Sequence, residues 1–377
     1  MHILHIMPDL NPGGAELMMK RLVECHLGDD RFEHRVISLR GLGAVGEALR
    51  ESGVEVEALE LTSVLRLPAT LLRLKKRIRA LRPDVVQTWM YHADLIGGLA
   101  ARLAGVRRIV WGIRVADISG DMGVARATFW VRRACAALSR YVPERIVYVC
   151  HSARPPHEAL GYDPSKGLVI PNGYVLPPER KPASVRERRR RLGLPEEAIL
   201  IGSAGRFSPQ KDHPAFIAAA ALIAARAPEA QFVIMGRQLN WDNEELARRV
   251  RETGYVERFH LLGERRDLGD CLAALDIFCL HSIQEGFPNV VAEAMAAGVP
   301  CVVTDVGDAA LLVGDTGTVV EPRQPAKLAA ALGGLLALAP GEREALGLRA
   351  RRRIGEHFSI EAVAERYGAL YCSLMHS

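Results

Sequence analysis

Two pairs of charged residues in this 377-residue chain have spacings that suit a phosphorylated sugar as ligand. In GSAGRFSPQKDH, Arg206 and Lys211 stand five positions apart on a Gly/Ser/Pro loop that follows a short apolar run. A guanidinium fork and an ammonium point charge on such a loop can clamp a diphosphate. The plainer reading is two solvated loop cations. In HSIQEGFPNVVAEAMAAG, Glu285 and Glu293 stand eight positions apart across a strand–helix junction. Pro288, Asn289 and Val290 open that helix, directly after Gly286 and Phe287. Proline suits a first helical turn, and the free N–H groups there can hold phosphate. Glu293, about one turn inside, is within reach of a ribose diol; Glu285, just before the helix, suits sugar hydroxyls. The plainer reading is a surface Glu and a helix-start Glu favoured by the dipole. It does not explain why a glycine, a proline and two carboxylates share one junction.

Two other glycine-rich stretches compete for attention. Pro12-Gly13-Gly14 ends the first apolar run and opens a helix, so the backbone can approach a ligand and offer N–H groups to an anion. A ligand-free βα turn is an equal reading. Gly41, Gly43 and Gly46 spell G-x-G-x-x-G with Glu60 beyond, formally a dinucleotide fingerprint. The helix after it is barely two turns long, and the motif follows the second strand, not the first. A flexible loop and a surface helix explain it better.

These residues need elements to hold them. Short apolar runs alternate with helix-period segments throughout, the pattern of parallel α/β sheets. Strands are expected near 2–7, 34–39, 54–60, 84–88, 108–112 and 145–149, with helices near 15–27, 69–82, 92–104 and 123–140. The proline-rich IPNGYVLPPERKP reads as a linker. The pattern then restarts, with strands near 198–204, 231–235, 259–262, 276–280, 300–304 and 317–320 and helices near 214–227, 242–253, 267–275 and 288–297. After residue 324 it is almost wholly helical. The organisation is therefore an N-terminal domain at 1–170, a linker at 171–183, a C-terminal domain at 184–357 and a terminal helix at 358–377 crossing back to the first domain. Ligands of doubly wound sheets bind outside the carboxyl ends of the strands, which is where the charged motifs fall.

Composition narrows the class. Hydrophobic residues are 49% and charged residues 25% of the chain, ordinary globular values that exclude a disordered chain or a disulfide miniprotein. A net charge of +5 is too small to argue for nucleic acid. The seven cysteines form no C-x-x-C pair and read as buried thiols in a reducing compartment. No stretch is apolar enough to span a membrane, and MHILHIMPDL has neither the charged n-region nor the cleavage site of a signal peptide.

SIQEGFPNVVAEAMAAGVPCVVTDVG, with its E-x7-E spacing, resembles the signature of retaining GT-B glycosyltransferases of family 4. PGGAE at 12–16, IPNGY at 170–174, GRFSPQKD at 205–212 and HLLGERRDL at 260–268 resemble further motifs of that family, in order and over nearly the whole chain. The resemblance implies an α/β, GT-B fold: two facing Rossmann-like, doubly wound domains with a cleft between them. It implies that Arg206 and Lys211 bind the donor diphosphate and stabilise the leaving group. Glu285 would contact the donor sugar, Glu293 the ribose, Gly13 and Gly14 the donor phosphate and acceptor, and Leu262 and Gly263 the base. It implies a UDP- or GDP-sugar donor, no cofactor and no metal. Two cations and a helix N-terminus can neutralise a diphosphate without magnesium. One position departs from the pattern. Where many relatives carry a histidine, RIVWGIRVADIS has Arg114, which cannot act as a base near neutral pH but can hold a phosphate or acceptor. His92 is a second strand-end candidate, more simply a helix-start polar residue. His92 and Asn172 are the expected acceptor-side residues.

The acceptor is written only faintly. Arg66, Arg73, Lys75, Lys76, Arg77, Arg79 and Arg82 cluster on one apolar-periodic segment, and Arg126, Arg132, Arg133 and Arg140 interleave with Phe129, Trp130 and Tyr141 on another. Basic amphipathic helices with aromatic residues suit an anionic membrane surface; a solvated basic face over a packed apolar one is the plainer reading of either alone. VRERRRRLG at 185–193 reads as a solvated helix face. The expected protein is a cytoplasmic hexosyl- or N-acetylhexosaminyltransferase, peripheral on the inner face of a membrane, with a glycan or lipid-linked acceptor and no nucleic-acid partner. The alternatives are a GT-B nucleotide-sugar 2-epimerase, a non-catalytic nucleotide-sugar-binding protein, and an NAD(P) oxidoreductase built on the 41–46 glycines.

Overall fold

The structure is a computed structural model that describes residues 1–63, 66–116, 118 and 126–376. It divides into two compact units, Met1–Gly173 with Ile360–Ser377, and Tyr174–Ser359.

In the first unit seven strands form one parallel sheet: β1 (His2–Met7), β2 (Glu33–Ser38), β3 (Glu55–Ala58), β4 (Val85–Thr88), β5 (Ile109–Ile113), β6 (Arg145–Tyr148) and β7 (Gly167–Val169). Their spatial order is β3-β2-β1-β4-β5-β6-β7. Helices α1 (Gly14–Cys25), α2 (Gly43–Glu51), α3 (Leu67–Leu81), α4 (Met90–Ala104), α5 (Arg126–Leu138) and α6 (Arg154–Leu160) make the crossovers. The start of α5 expected at 123 lies outside the described residues. β7 and α6 have no clear sequence signal. β7 is only three residues long, and α6 opens Arg-Pro-Pro, which disguises its period.

The second unit holds α7 (Pro182–Leu192), then β8 (Ile199–Ala204), α8 (His213–Ala224), β9 (Ala230–Met235), α9 (Glu244–Glu252), β10 (Phe259–Gly263), α10 (Leu268–Ala273) and β11 (Ile277–Leu280). It continues with α11 (Asn289–Ala296), β12 (Cys301–Thr304), α12 (Ala309–Val313), β13 (Gly317–Val320), α13 (Pro325–Leu336) and α14 (Pro340–His357). Its six parallel strands run β10-β9-β8-β11-β12-β13. Both sheets are the doubly wound α/β kind read from the sequence.

The last helix, α15 (Ile360–Met375), returns to the first unit. Val363, Tyr367, Tyr371 and Leu374 are buried there with Ile3 of β1 and Met18, Met19 and Leu22 of α1. Close packing admits it: a Cβ on Gly368 would come within 3.0 Å of the Phe32 ring. A row of side chains also reaches this helix. Trp89 Nε1–H donates to His5, and His5, His34 and His26 follow in hydrogen-bonding contact to the carbonyl of Ala364. Burial is the main cause that lowers all three imidazoles, and that of His34 is held down at about 3.

The arginine run at 185–193 corrects the expectation of a wholly solvated face. Arg189 is 5% exposed, pairs with Asp276 at 2.6 Å and donates to the carbonyls of Ala274, Glu196 and Ala198. Four hydrogen bonds from one rigid guanidinium fork let a single arginine close the ends of several elements at once. The 41–46 glycines also have a packing reason. Gly43 lies at φ +58°, where a Cβ would meet the Leu10 carbonyl oxygen at 2.3 Å, and Gly46 packs on the Leu10 side chain. They let α2 approach the loop after β1.

Candidate active site

Each sheet has a point where strand order reverses, and ligands of such sheets bind outside the strand ends there. In the second unit that point lies between β8 and β11. The loop after β8 carries Arg206 and Lys211, and the loop after β11 carries Glu285. Chain reversal thus brings together two motifs that are 74 residues apart in sequence: Lys211 Nζ donates to Glu285 Oε1 at 2.5 Å. Ser282 Oγ donates to the same oxygen at 2.6 Å, so the carboxylate is oriented from two sides.

Lys211 and Glu285 line a cavity of about 340 Å³ with Phe287, Pro288, Asn289 and Val290 at the start of α11. The helix begins at Asn289, one residue later than read, because Pro288 serves as its N-cap. Its first N–H groups and its dipole therefore face the site. Tyr174 Oη bonds to Asn289 Oδ1 at 2.5 Å, and its ring stacks on Phe287. Within IPNGY nothing marks Tyr174 for this contact, which only the fold creates.

The remaining expected residues divide clearly. Arg206 is exposed, and it does not line the cavity; neither do Gly286, Glu293, Leu262 or Gly263. Glu293 sits half-buried within α11. Gly263 ends β10 and its carbonyl accepts from Gly236 N–H at 2.7 Å. The cavity wall on that side is instead Gly236, Arg237, Glu264, Arg265 and Leu268. Sequence reasoning passed over Gly236 and Arg237. The signal was available: a glycine directly after an apolar strand. Gly236 has φ +134°, and a Cβ there would stand 1.5 Å from the Gly205 carbonyl oxygen, so only glycine fits. Gly307, at φ +58°, plays the same part beneath the other loop, where a Cβ would stand 2.3 Å from the Gly286 carbonyl oxygen.

In the first unit the reversal lies between β1 and β4. Gly13 is the extended N-cap of α1 and Gly14 its first residue. Glu16, unremarked in PGGAE, is 8% exposed, and a Cβ on Gly13 would meet its Oε2 at 2.4 Å. Burial, with Asp9 nearby, raises its carboxyl above the usual range. His92 is half-buried in the first turn of α4, where burial and the Arg40 charge lower its imidazole. Arg114 and Asn172 meet: the guanidinium donates to Asn172 Oδ1 and to Tyr367 Oη, and lies 5.3 Å over the Trp89 ring. Arg114 therefore ties the end of β5 to α15.

The two basic segments are less uniform than they read. On α3, Glu57 pairs with Arg77 at 2.6 Å and with Arg73 at 3.6 Å, while Arg66, Lys76, Arg79 and Arg82 stay exposed beside Leu72. On and beyond α5, Trp130 and Tyr141 are each 67% exposed next to Arg133 and Arg140, but Arg132 is 4% exposed and belongs to the interior. The side chain of Arg126 lies outside the described residues. All seven cysteines are free thiols, five of them buried. Among the described residues no helix is long and apolar enough to cross a membrane.

Comparison with known proteins identifies the family and the fold. The family model described as Glycosyl transferases group 1 matches residues 198–337, and that described as Glycosyltransferase Family 4 matches residues 12–176. The chain is 28% identical over 255 residues to the UDP-Gal:alpha-D-GlcNAc-diphosphoundecaprenol alpha-1,3-galactosyltransferase of Escherichia coli, covering 65% of this chain and 63% of that protein. It is 29% identical over 215 residues to the lipopolysaccharide core biosynthesis mannosyltransferase LpsB of Rhizobium meliloti, covering 55% and 61%. The matched stretches thus span about three fifths of these relatives' own length. The crystal structure of Anabaena Alr3699/HepE in complex with UDP superposes with a TM-score of 0.83 at 21% identity, over 99% of this chain and 100% of that one. That likeness shows the shared fold.

Proposed function

This chain belongs to the group 1, family 4 glycosyltransferases of GT-B fold, and from that premise we propose that it moves a hexose or N-acetylhexosamine from a nucleotide diphosphate to a glycan or lipid-linked acceptor. The observation that carries the reading is the Lys211–Glu285 pair beside the start of α11, in one cavity at the switch point of the second sheet. A cation, a helix N-terminus and a carboxylate there match a diphosphate and a sugar in turn. Arg206, exposed on the same loop, closes on the diphosphate from outside. Glu293 serves the ribose.

The reaction proposed proceeds with retention. The bond from the anomeric carbon to the phosphate oxygen breaks while Lys211, Arg206 and the α11 N–H groups hold the developing negative charge. The acceptor oxygen adds on the same face, and its proton passes to the leaving phosphate oxygen. No side-chain base is needed, which suits a chain with Arg114 in the first unit. Because its guanidinium is occupied by Asn172 and Tyr367, Arg114 is assigned to shaping the acceptor side, with His92 and Gly13–Gly14, not to proton transfer. A UDP-linked donor is favoured by the E. coli relative, named for UDP-Gal, and by the HepE complex with UDP. Charge neutralisation by protein groups supports activity without a metal. The exposed cations of α3, with Leu72, support contact with an anionic membrane surface from the cytoplasmic side.

The test is calorimetric titration with UDP and GDP in the presence of a chelator, followed by product analysis with the matching nucleotide sugars. Micromolar binding of one diphosphate and an α-linked product from an α-linked donor are expected. Binding without any transfer or hydrolysis would point to the non-catalytic alternative, and release of a 2-epimer of the sugar to the epimerase. Sedimentation with anionic and with neutral vesicles checks the membrane contact; equal binding to both would sink it.

A further inference from the structure

The loop that carries Arg206 and Lys211 is held from behind by two histidines. His213, the first residue of α8, places Nε2 at 3.1 Å from the backbone carbonyl oxygen of Arg206. His281, directly after β11, hydrogen-bonds through Nδ1 to the backbone carbonyl oxygen of Lys211. Its other nitrogen, Nε2, lies 2.5 Å from Ser203 Oγ at the end of β8. A carbonyl only accepts, so His213 is protonated on Nε2 and His281 on Nδ1; Ser203 O–H then donates to His281 Nε2. One chain of bonds thus runs from β8 through His281 to the end of the loop, and a second from α8 to its beginning.

The packing around them leaves little freedom. His213 and His281 are 1% and 3% exposed, and their rings meet edge to face at 5.0 Å. Phe207 of the loop stacks on His213, and Phe216 of α8 stacks on His281. The charged groups facing the pair are the Lys211 ammonium and Asp212, with Glu285 behind Lys211. Burial, Lys211 and the neighbouring imidazole keep His281 neutral; burial and Lys211 keep His213 neutral, with Asp212 opposing. His213 Nδ1 has no hydrogen-bond partner among the described residues, so a second proton there would be buried unpaired. Among the described residues the loop's other backbone ties to its surroundings are Gly205 N–H to Met235 O at its start, and Phe207 N–H to Arg237 O and Ile283 N–H to Gln210 O inside the span that the histidines bracket.

We propose that His213 and His281 are positioning residues for the donor diphosphate, holding the Arg206–Lys211 loop by the backbone carbonyls at its two ends. The assignment rests on the reading of that loop as the diphosphate site. Without the clamp the loop gains conformations in which Arg206 and Lys211 are not presented together, and the ordering cost then falls on donor binding. Donor affinity should drop while the chemical step, once the donor is seated, is little changed.

Four histidine variants and one serine variant test this. His281→Leu and His213→Leu keep bulk but remove the donor; His281→Asn and His213→Gln return an amide N–H near the lost Nδ1 and Nε2. Loss of one hydrogen bond to a buried carbonyl predicts a UDP Kd, and a donor KM, raised about three- to tenfold in each Leu variant. Turnover should stay within about twofold, and the amide variants should recover most of the affinity. Ser203→Ala, the mildest change, should raise Kd about two- to threefold, and it keeps the proposal open to refutation if a Leu variant fails to fold. Amide exchange of residues 205–212 in the nucleotide-free proteins should quicken in the Leu variants. Folded Leu variants with wild-type Kd and wild-type exchange would overturn the clamp, as would Asn and Gln variants that behave like Leu. If the wild type binds neither UDP nor GDP, the functional reading falls, and loop exchange alone then decides the clamp.

Discussion

Glu285→Gln should tighten nucleotide binding while it slows transfer. The Lys211 ammonium sits 2.5 Å from Glu285 Oε1, and the two side chains are only 21% and 13% exposed. A phosphate that recruits Lys211 must share that ammonium with the carboxylate. Two anions on opposite sides of one ammonium lie about 5 Å apart, and at an effective dielectric of about 20 unit charges repel by roughly 3 kcal/mol. Glutamine removes the charge yet keeps an oxygen for Ser282 and Lys211, so the site need not rearrange. With part of that repulsion retained by solvent and by the amide dipole, UDP should bind about ten- to hundredfold more tightly, or about 1.4–2.8 kcal/mol. The sugar-contacting carboxylate is lost at the same time, so kcat should fall by at least about a hundredfold if it stabilises the transition state. Calorimetry with UDP and single-turnover transfer on the same protein separate the two effects. A variant that binds UDP as weakly as wild type, or more weakly, would show that Glu285 and the diphosphate do not compete for Lys211, and the assignment of this cavity would be wrong.

Three further outcomes are expected. Arg206→Ala and Lys211→Met should each weaken UDP binding by about 1.5–3 kcal/mol, the range for a hydrogen bond to a charged group; unchanged calorimetric affinity in Arg206→Ala would leave that exposed residue out of the site. Gly236→Ala should destabilise the second unit and abolish nucleotide binding, since its Cβ would collide with Gly205 O at 1.5 Å; denaturant unfolding with and without UDP reads both effects, and wild-type behaviour would contradict the packing. Acid should weaken the first unit through His157, whose imidazole is held at about 4 mainly by burial and also by the Arg132 charge, against 6.5 when unfolded. Its stabilising preference for the neutral form is complete above pH 6.5 and is lost as the unfolded chain takes up the proton, about 2 kcal/mol by pH 5. Because His157→Asn removes that titration, the stability gap between wild type and variant should shrink by about that amount from pH 7.5 to pH 5; a pH-independent gap would refute the shift.

Much of this molecule is local in origin and so was legible in the sequence. Strand and helix periods, the proline-rich break after residue 170 and the cation and carboxylate motifs each depend on neighbours within a few positions. The reversal of strand order, by contrast, is a property of how whole βα units stack. Only that reversal puts Lys211 against Glu285, while Arg206 stays exposed and does not line the cavity. Likewise nothing in VRERRRRLG marks Arg189 as the one arginine turned inward, and nothing in α5 marks Arg132, because burial is decided by what packs across from them. Gly236 and Gly307 are single glycines whose necessity appears only when a carbonyl of another loop stands within 3 Å of where their Cβ would be. Local pattern thus suffices for the class of fold, the chemistry on offer and its rough addresses. Contacts between distant segments settle which groups share a cavity, which are spent on holding the chain together, and, through His213 and His281, how the loop bearing the cations is kept in place.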